Sequence, residues 1–408
     1  MSVVNKLVSS LVAKRSRLPR RVNAMIDRLV APGTGPLGRA VQRLGGVAVG
    51  GAVAPPPRVP EGSVRLYVAP TNYAGQGYLW CRAVERELDG VGAVNMVAEA
   101  DHGFRFPADD SVPIATYLMS RRWQQEREGY VRRFTHVMFE AERPLFGRLH
   151  GGDAFTEARM LRETGLGVAM MCHGTDVRLP SRHRAASPWS PFHEDPRFDV
   201  LEETARRNLA GLAALGAPVF VSTPDLLEDV PAATWCPVVV DGDRWHAEAD
   251  ALERTRLRVV HVPSSSAVKG TNLINPVLER LAAEGVLDYE HVQGVPASQM
   301  PAVYARADVV LDQFRVGSYG VAACEAMASG RVVVGHVTSS VRDHVRDATG
   351  RDLPVVEATP DTLRDVLLEI AEDRETYRTK AAAGPGFVAS VHDGTLSAAA
   401  LRAFLLGP

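Results

Sequence analysis

The chain has 408 residues, 46% hydrophobic and 23% charged, proportions of a globular protein with room for two or three domains. No run approaches the ~18 apolar residues of a membrane span. Its four cysteines, Cys81, Cys172, Cys236 and Cys324, stand far apart without a CxxC, which reads as core thiols in a reducing compartment and argues against zinc.

The formal net charge of −2 is unevenly spread. Met1 to Pro60 holds ten Lys/Arg against one acid, Asp27, about +9, and the remainder carries about −11. A basic arm therefore precedes an acidic body. Within the arm, Val3, Val4, Leu7, Val8, Leu11 and Val12 recur at helical spacing, with Lys14, Arg15 and Arg17 just beyond and Pro19 interrupting. Lys6 breaks the apolar stretch, so it is no secretory signal. Gly45 to Pro60 is Gly/Ala/Pro-rich and reads as a linker. The basic helix has two readings: adhesion to an anionic membrane surface, or a tail or subunit contact.

Residues 61–240 read as a first α/β domain. Val64 to Val68 predicts a strand, Thr71 to Gly77 a turn and Tyr78 to Leu88 a helix. Gly75 and Gly77 in that first turn allow close backbone approach to a ligand or simply a tight bend, and Asn72 and Gln76 are polar loop residues able to meet sugar hydroxyls. Further strands are expected at Thr135 to Phe139, Gly167 to Cys172 and Pro218 to Ser222, and helices at Thr156 to Glu163 and Leu201 to Leu215. Cys172 to Arg178, CHGTDVR, follows an apolar run, so His173, Asp176 and Arg178 are expected at a strand's carboxyl end, where core residues of these types are rare.

Pro237 to Trp245 reads as a hinge, residues 241–390 as a second α/β domain and residues 391–408 as a C-terminal helix packing back on the first. Strands are expected at Arg258 to Val262, Tyr289 to Val292, Val309 to Asp312 and Val332 to Gly335. Helices are expected at Asn272 to Ala283, Pro301 to Ala307, Val321 to Ser329 and Pro360 to Asp373. Two Gly/Ser-rich turns each link a strand to a helix: one closes at Lys269-Gly270, the other is Gly317-Ser318-Tyr319-Gly320. A helix N-terminus offers unpaired amides and partial positive charge to phosphate. With Lys269 beside one turn and Glu325 one turn into the second helix, the pattern suggests a nucleotide-diphosphate site. Asp241-Gly242-Asp243 has metal–nucleotide spacing but falls in the hinge. His261, His291 and His336 lack metal-ligand spacing and read as ordinary polar residues at strand ends.

Val262 to Thr271 (VPSSSAVKGT), Ala307 to Gln313 (ADVVLDQ), Tyr319 to Gly330 (YGVAACEAMASG) and the HGTD of residues 173–176 together resemble the retaining glycosyltransferases of the large family four, from Val64 to the C-terminus. The resemblance implies a GT-B architecture, α/β, with two doubly wound Rossmann-like domains facing across a cleft. It implies that His173 contacts the donor sugar or its phosphate, with Asp176 orienting His173 or binding an acceptor hydroxyl and Arg178 holding a phosphate. Asp176 as a local cap with Arg178 ion-paired nearby is the other reading. It further implies donor and phosphate binding by Gly75, Gly77, Lys269, Gly270, Ser318, Tyr319, Gly320 and Val321, and ribose binding by Glu325. Two departures stand out: Ser264 and Ser265 replace the family's arginine, leaving serine hydroxyls and amides for the phosphate and Arg315 as a substitute cation, and Gly317 replaces the first glutamate of E-x7-E, a residue near the donor sugar.

The expected activity is metal-independent transfer of a hexosyl group from a nucleotide-diphosphate sugar, UDP- or GDP-linked, with retention of configuration. That sugar is a co-substrate, and no cofactor or metal is expected. The acceptor class stays open between a lipid-linked glycan, a small molecule and a peptide. No nucleic-acid partner is expected, and the location is cytoplasmic or peripheral at the inner membrane face. A non-catalytic paralogue that partners an active transferase, and a nucleotide-sugar epimerase, are the alternatives.

Overall fold

The computed structural model describes residues 54–99, 106–245, 247, 250–263 and 266–407. Most of the basic arm, together with Ser264 and Ser265, lies outside the described residues.

Among the described residues, twelve strands build two sheets. β1 (Val64–Ala69), β2 (Val91–Glu99), β3 (Asp110–Pro113), β4 (His136–Glu140), β5 (Gly167–Cys172), β6 (Val219–Val221) and β7 (Thr234–Trp235) form one, in the order β3-β2-β1-β4-β5-β6-β7. β8 (Leu257–His261), β9 (Leu287–His291), β10 (Val309–Leu311), β11 (Val332–Gly335) and β12 (Val355–Glu357) form the other, in the order β12-β11-β10-β8-β9. The described pairings are parallel. The chain divides into two compact units, residues 1–171 with 211–218 and 404–408, and residues 172–210 with 219–403. In the first unit, Phe404 packs edge-on against His136 at 5.1 Å between ring centres.

The sequence explains the strands. β10 and β11 are unbroken apolar runs without polar alternation, as required of a parallel strand covered on both faces. Their core gathers Val259, Val309, Leu311, Val332 and Val334 with Leu278, Leu281, Leu363 and Leu367 from the covering helices. Each such side chain contributes about 1.5–3 kcal/mol on burial.

Two segments escaped the sequence pattern. β2 is interrupted by Gly92 and Asn95, and Asn95 is fully buried, its amide donating to the Val68 carbonyl of β1 at 3.2 Å. The helix Arg374–Val391 runs through Gly384-Pro385-Gly386, a triplet that reads as a breaker. Tertiary packing overrides it: a Cβ at residue 384 would lie 2.6 Å from the Met327 carbonyl oxygen. Glycine there lets this helix press against the helix Val321–Ala328.

No helix among the described residues is long and apolar enough to cross a membrane.

Candidate functional site

In an open parallel sheet, ligands collect at the carboxyl ends of strands where the strand order reverses. In the five-stranded sheet that point lies between β8 and β10. The segment leaving β8 forms the short helix Ser266–Lys269 and turns through Gly270, at φ +81°, into the helix Thr271–Ala283. Lys269 Nζ is ion-paired with Asp312, the residue after β10. The Lys269 carbonyl accepts from the Phe314 amide at 3.1 Å, tying the two strand ends together. Arg315, the expected substitute cation, is buried, and its guanidinium reaches Glu194 at 3.2 Å and Asn272 at 3.3 Å. A Cβ on Gly270 would stand 3.2 Å from Arg315 Cγ, so the arginine stem covers the first turn.

The second turn is held from several sides. Gln313 Nε2 donates to the Ser318 carbonyl, and the Thr338 amide donates to the Gly317 carbonyl at 2.9 Å. Tyr319, expected at the donor, points its ring into the core, where its hydroxyl lies 3.3 Å from His392 Nε2. Only its backbone is left for a ligand. Gly320 faces open space and precedes the helix Val321–Ala328, whose first amides lack intrahelical acceptors.

Glu325 stands in that helix. Its carboxylate makes no hydrogen bond among the described residues. Burial raises it to about 8, against the lowering charges of Arg244 and Lys269, while Asp312 adds to the rise. Lys269, Asp312, Glu325 and Arg244 thus share one electrostatic neighbourhood, reached from four separate segments; the hinge expected at Pro237 to Trp245 falls within the second unit. Asp312 lies in the ADVVLDQ stretch, which does not single it out, and Arg244 carries no motif.

The CHGTDVR segment follows β5 as expected, and its carboxylate is engaged locally. Asp176 accepts from the His173 amide at 2.7 Å and from the Gly174 amide. Asn208 Nδ2 donates to the Asp176 carbonyl at 2.9 Å. Arg178 is buried against Asp225 in an ion pair. Burial raises the Asp225 carboxyl, but the charge and hydrogen bond of Arg178 outweigh it and leave it below the ordinary value. Arg178 is ion-paired, as the alternative expected, but Asp176 caps no helix: residues 173–178 form a turn, and its carboxylate accepts from the two amides that precede it.

In the first unit, the strand-order reversal lies between β1 and β4. There the Glu140 carboxylate, fully buried at the end of β4, accepts from the amides of Thr71 and Asn72 at 3.2 and 3.0 Å. Asn72, read as a sugar contact, instead bonds Tyr78 N at 3.0 Å and the Pro107 carbonyl at 2.9 Å. A Cβ on Gly77 would lie 2.6 Å from Asn95 Nδ2 and 3.0 Å from Glu140 Oε2, and one on Gly75 would lie 3.3 Å from Phe106. Both glycines, expected near phosphate, serve close packing, and a carboxylate of the protein takes the amides that a ligand anion would use.

A cavity of about 190 Å³ opens in the second unit beside the second turn, bordered by Arg178, Arg182, His183, Trp189, Asp225, Gly317 and His336 among others. It far exceeds the ~10–15 Å³ that one water needs. His183 is fixed at its border: Nε2 lies 3.1 Å from the Val316 carbonyl and Nδ1 lies 2.7 Å from Ser190 Oγ. Arg182 is held by Asp229 at 2.6 Å and by Glu228. Of these the sequence pointed to Arg178 and Gly317 and read His336 as an ordinary polar residue at a strand end, because contacts between distant segments leave no local spacing.

No protein-family model and no curated protein sequence matches the chain. Solved structures do. Sucrose-phosphate synthase from Thermosynechococcus elongatus superposes with a TM-score of 0.54 at 13% identity, over 82% of this chain and 96% of that one. The catalytic domain of starch synthase IV from Arabidopsis thaliana, bound to ADP and acarbose, gives 0.54 at 10% identity, over 85% and 99%. Anabaena HepE in complex with UDP and glucose gives 0.51 at 11%, over 83% and 97%. At such identities the likeness speaks for the fold, and this chain has the GT-B glycosyltransferase fold.

Proposed function

We propose that this protein transfers a hexosyl group from a nucleotide-diphosphate sugar to an acceptor with retention of configuration. Glu325 carries the reading. A partly buried carboxylate one turn inside a helix, raised by desolvation and without a hydrogen bond among the described residues, is placed to accept from two ribose hydroxyls. Beside it, Lys269 and the open amides at Gly320 and Val321 supply what a diphosphate requires: a cation and N–H donors at a helix N-terminus. Asp312 holds the lysine at that place until phosphate competes for it. Arg178, Ser318 and Gly270 complete the surroundings, with Ser264 and Ser265 as further hydroxyl donors to phosphate. Anabaena HepE and starch synthase IV, solved with UDP and ADP respectively, fit the same donor class.

In this reading the acceptor hydroxyl oxygen bonds to the anomeric carbon while the bond from that carbon to the β-phosphate oxygen breaks. The hydroxyl proton passes to the departing phosphate on the same face of the sugar. Lys269 and the amides stabilise the charge that develops on the leaving group, which is preorganised electrostatic stabilisation without a required metal. His173 and Asp176 are assigned to the sugar end. The excess positive charge of residues 1–60 supports a peripheral position at an anionic membrane surface, with a lipid-linked acceptor there.

The test is calorimetric titration with UDP, GDP, ADP and TDP in EDTA, on wild type, Lys269→Ala and Glu325→Ala. One nucleotide is expected to bind, and each substitution to weaken it by about tenfold or more. Absence of binding by all four would overturn the reading.

A further inference from the structure

The cavity beside Gly317 is also bordered by His336 and Thr338. Gly317 has φ +79°, and a Cβ there would meet Thr338 Cγ2 at 2.8 Å. The backbone is shaped for glycine, so the carboxylate expected at this position has no room to return.

Next to that turn stands His336, one residue beyond β11. Its amide donates to the Gln313 carbonyl at 2.8 Å, and its ring packs edge-on against Trp189 at 5.2 Å. Nδ1 lies 2.7 Å from Glu357 Oε1. Glu357 ends β12, next to Gly335 in register, and its other oxygen accepts from the Val337 amide at 2.8 Å and from Arg342 at 3.2 Å. Burial raises this carboxyl, but the bonds from His336 and Val337 prevail and it stands below its ordinary value.

An ionised carboxylate only accepts hydrogen bonds, so Nδ1 carries a proton, and in the Nδ1–H tautomer Nε2 presents a lone pair. That nitrogen makes no hydrogen bond among the described residues. It lies 3.7 Å from where a Cβ on residue 317 would stand, and His336 borders the cavity.

The geometry points to His336 as a sugar-recognition residue: positioned by Glu357, its Nε2 accepts a hydrogen bond from a hydroxyl of the glycosyl group carried by the nucleotide donor. This rests on the donor reading above. The Gly317 turn borders the cavity on one side and leads into the diphosphate-binding helix end on the other. A sugar on the β-phosphate of a bound nucleotide therefore faces this space. An imidazole just beyond β11, fixed by a carboxylate from β12, takes over a task that sequence alone would assign to residue 317.

The test compares a nucleotide diphosphate with its sugar conjugate. Wild type, His336→Ala, His336→Gln and Glu357→Gln are titrated with UDP, UDP-glucose, GDP and GDP-mannose. For the pair that binds wild type, His336→Ala is expected to keep diphosphate affinity within about twofold and weaken the conjugate by about tenfold. His336→Gln, which retains a neutral acceptor, stays within about threefold for the conjugate, and Glu357→Gln falls between. Equal weakening of diphosphate and conjugate in His336→Ala marks a structural role and overturns the inference. An unchanged conjugate affinity does the same, as does a wild type that binds a diphosphate but neither conjugate. Failure of wild type to bind any diphosphate removes the donor reading itself, and the inference with it.

Discussion

Glu325 illustrates the conflict between stability and function at a single residue. Its carboxyl, ordinarily near 4.5, is raised to about 8 by burial, with Arg244 and Lys269 opposing and Asp312 reinforcing. The folded state therefore holds this proton more tightly than the unfolded one. Stability is complete below the unfolded value and declines as pH rises from about 4.5 towards 8. Glu325→Gln removes that decline. Its melting temperature should match wild type near pH 5 and exceed it at pH 8, while nucleotide affinity falls. A thermal melt series over that pH range, alongside the titration, checks both halves. Gly317 poses the opposite case. Gly317→Glu, which restores the sequence motif, should not restore a site. The left-handed backbone alone costs a non-glycine residue about 1–2 kcal/mol, and the contact with Thr338 adds to it. A lowered denaturation midpoint without tighter binding of the nucleotide sugar is the expected result.

Among elements, the most exposed dependence is the bond between the CHGTDVR turn and the segment after β6. Arg178 and Asp225 are each more than nine-tenths buried as side chains and are paired to one another. Replacing one strands a buried charge. Arg178→Met should cost about 3–5 kcal/mol, whereas Arg178→Met with Asp225→Leu should recover most of it, because both charges leave together. Urea denaturation of the two singles and the double gives the coupling. The lowered Asp225 carboxyl means this contribution is present above its unfolded value of about 3.9 and disappears as pH falls through the folded value. The acid limb of wild-type stability should thus be shallower in the double variant. At the ends of β1 and β4 the same physics has closed a site: Glu140 occupies the Thr71 and Asn72 amides.

For the whole molecule, ligand linkage provides the check. A nucleotide present at about a hundredfold its Kd stabilises the folded state by about 2.7 kcal/mol. With two compact units, that gain need not appear in a single transition. Hydrogen exchange should place the added protection in residues 259–271 and 311–325 of the second unit. A gain in the first unit alone would contradict the donor site assigned here.

The sequence by itself determined the alternation of strands and helices and the two glycine turns of the second half, because parallel strands are continuous apolar runs and a sharp turn into a helix favours glycine, and it singled out Lys269 and Glu325 as candidates. β8, β10, β11 and the helix Val321–Ala328 were legible on those grounds. It could not supply pairings between distant segments. Asp312 on Lys269, Asp225 on Arg178, Glu357 on His336 and Glu140 on the first turn are joined only by strand order and chain reversal. His261 and His336, equivalent strand-end histidines in sequence, part company for that reason. His261 is bonded at both ring nitrogens, to Leu311 and Thr271, and burial lowers it to about 4. His336 is bonded at Nδ1 to Glu357 and borders a cavity with the other nitrogen. Side-chain chemistry sets what each imidazole can do, and only the neighbours delivered by the tertiary structure decide which of the two is left able to do it.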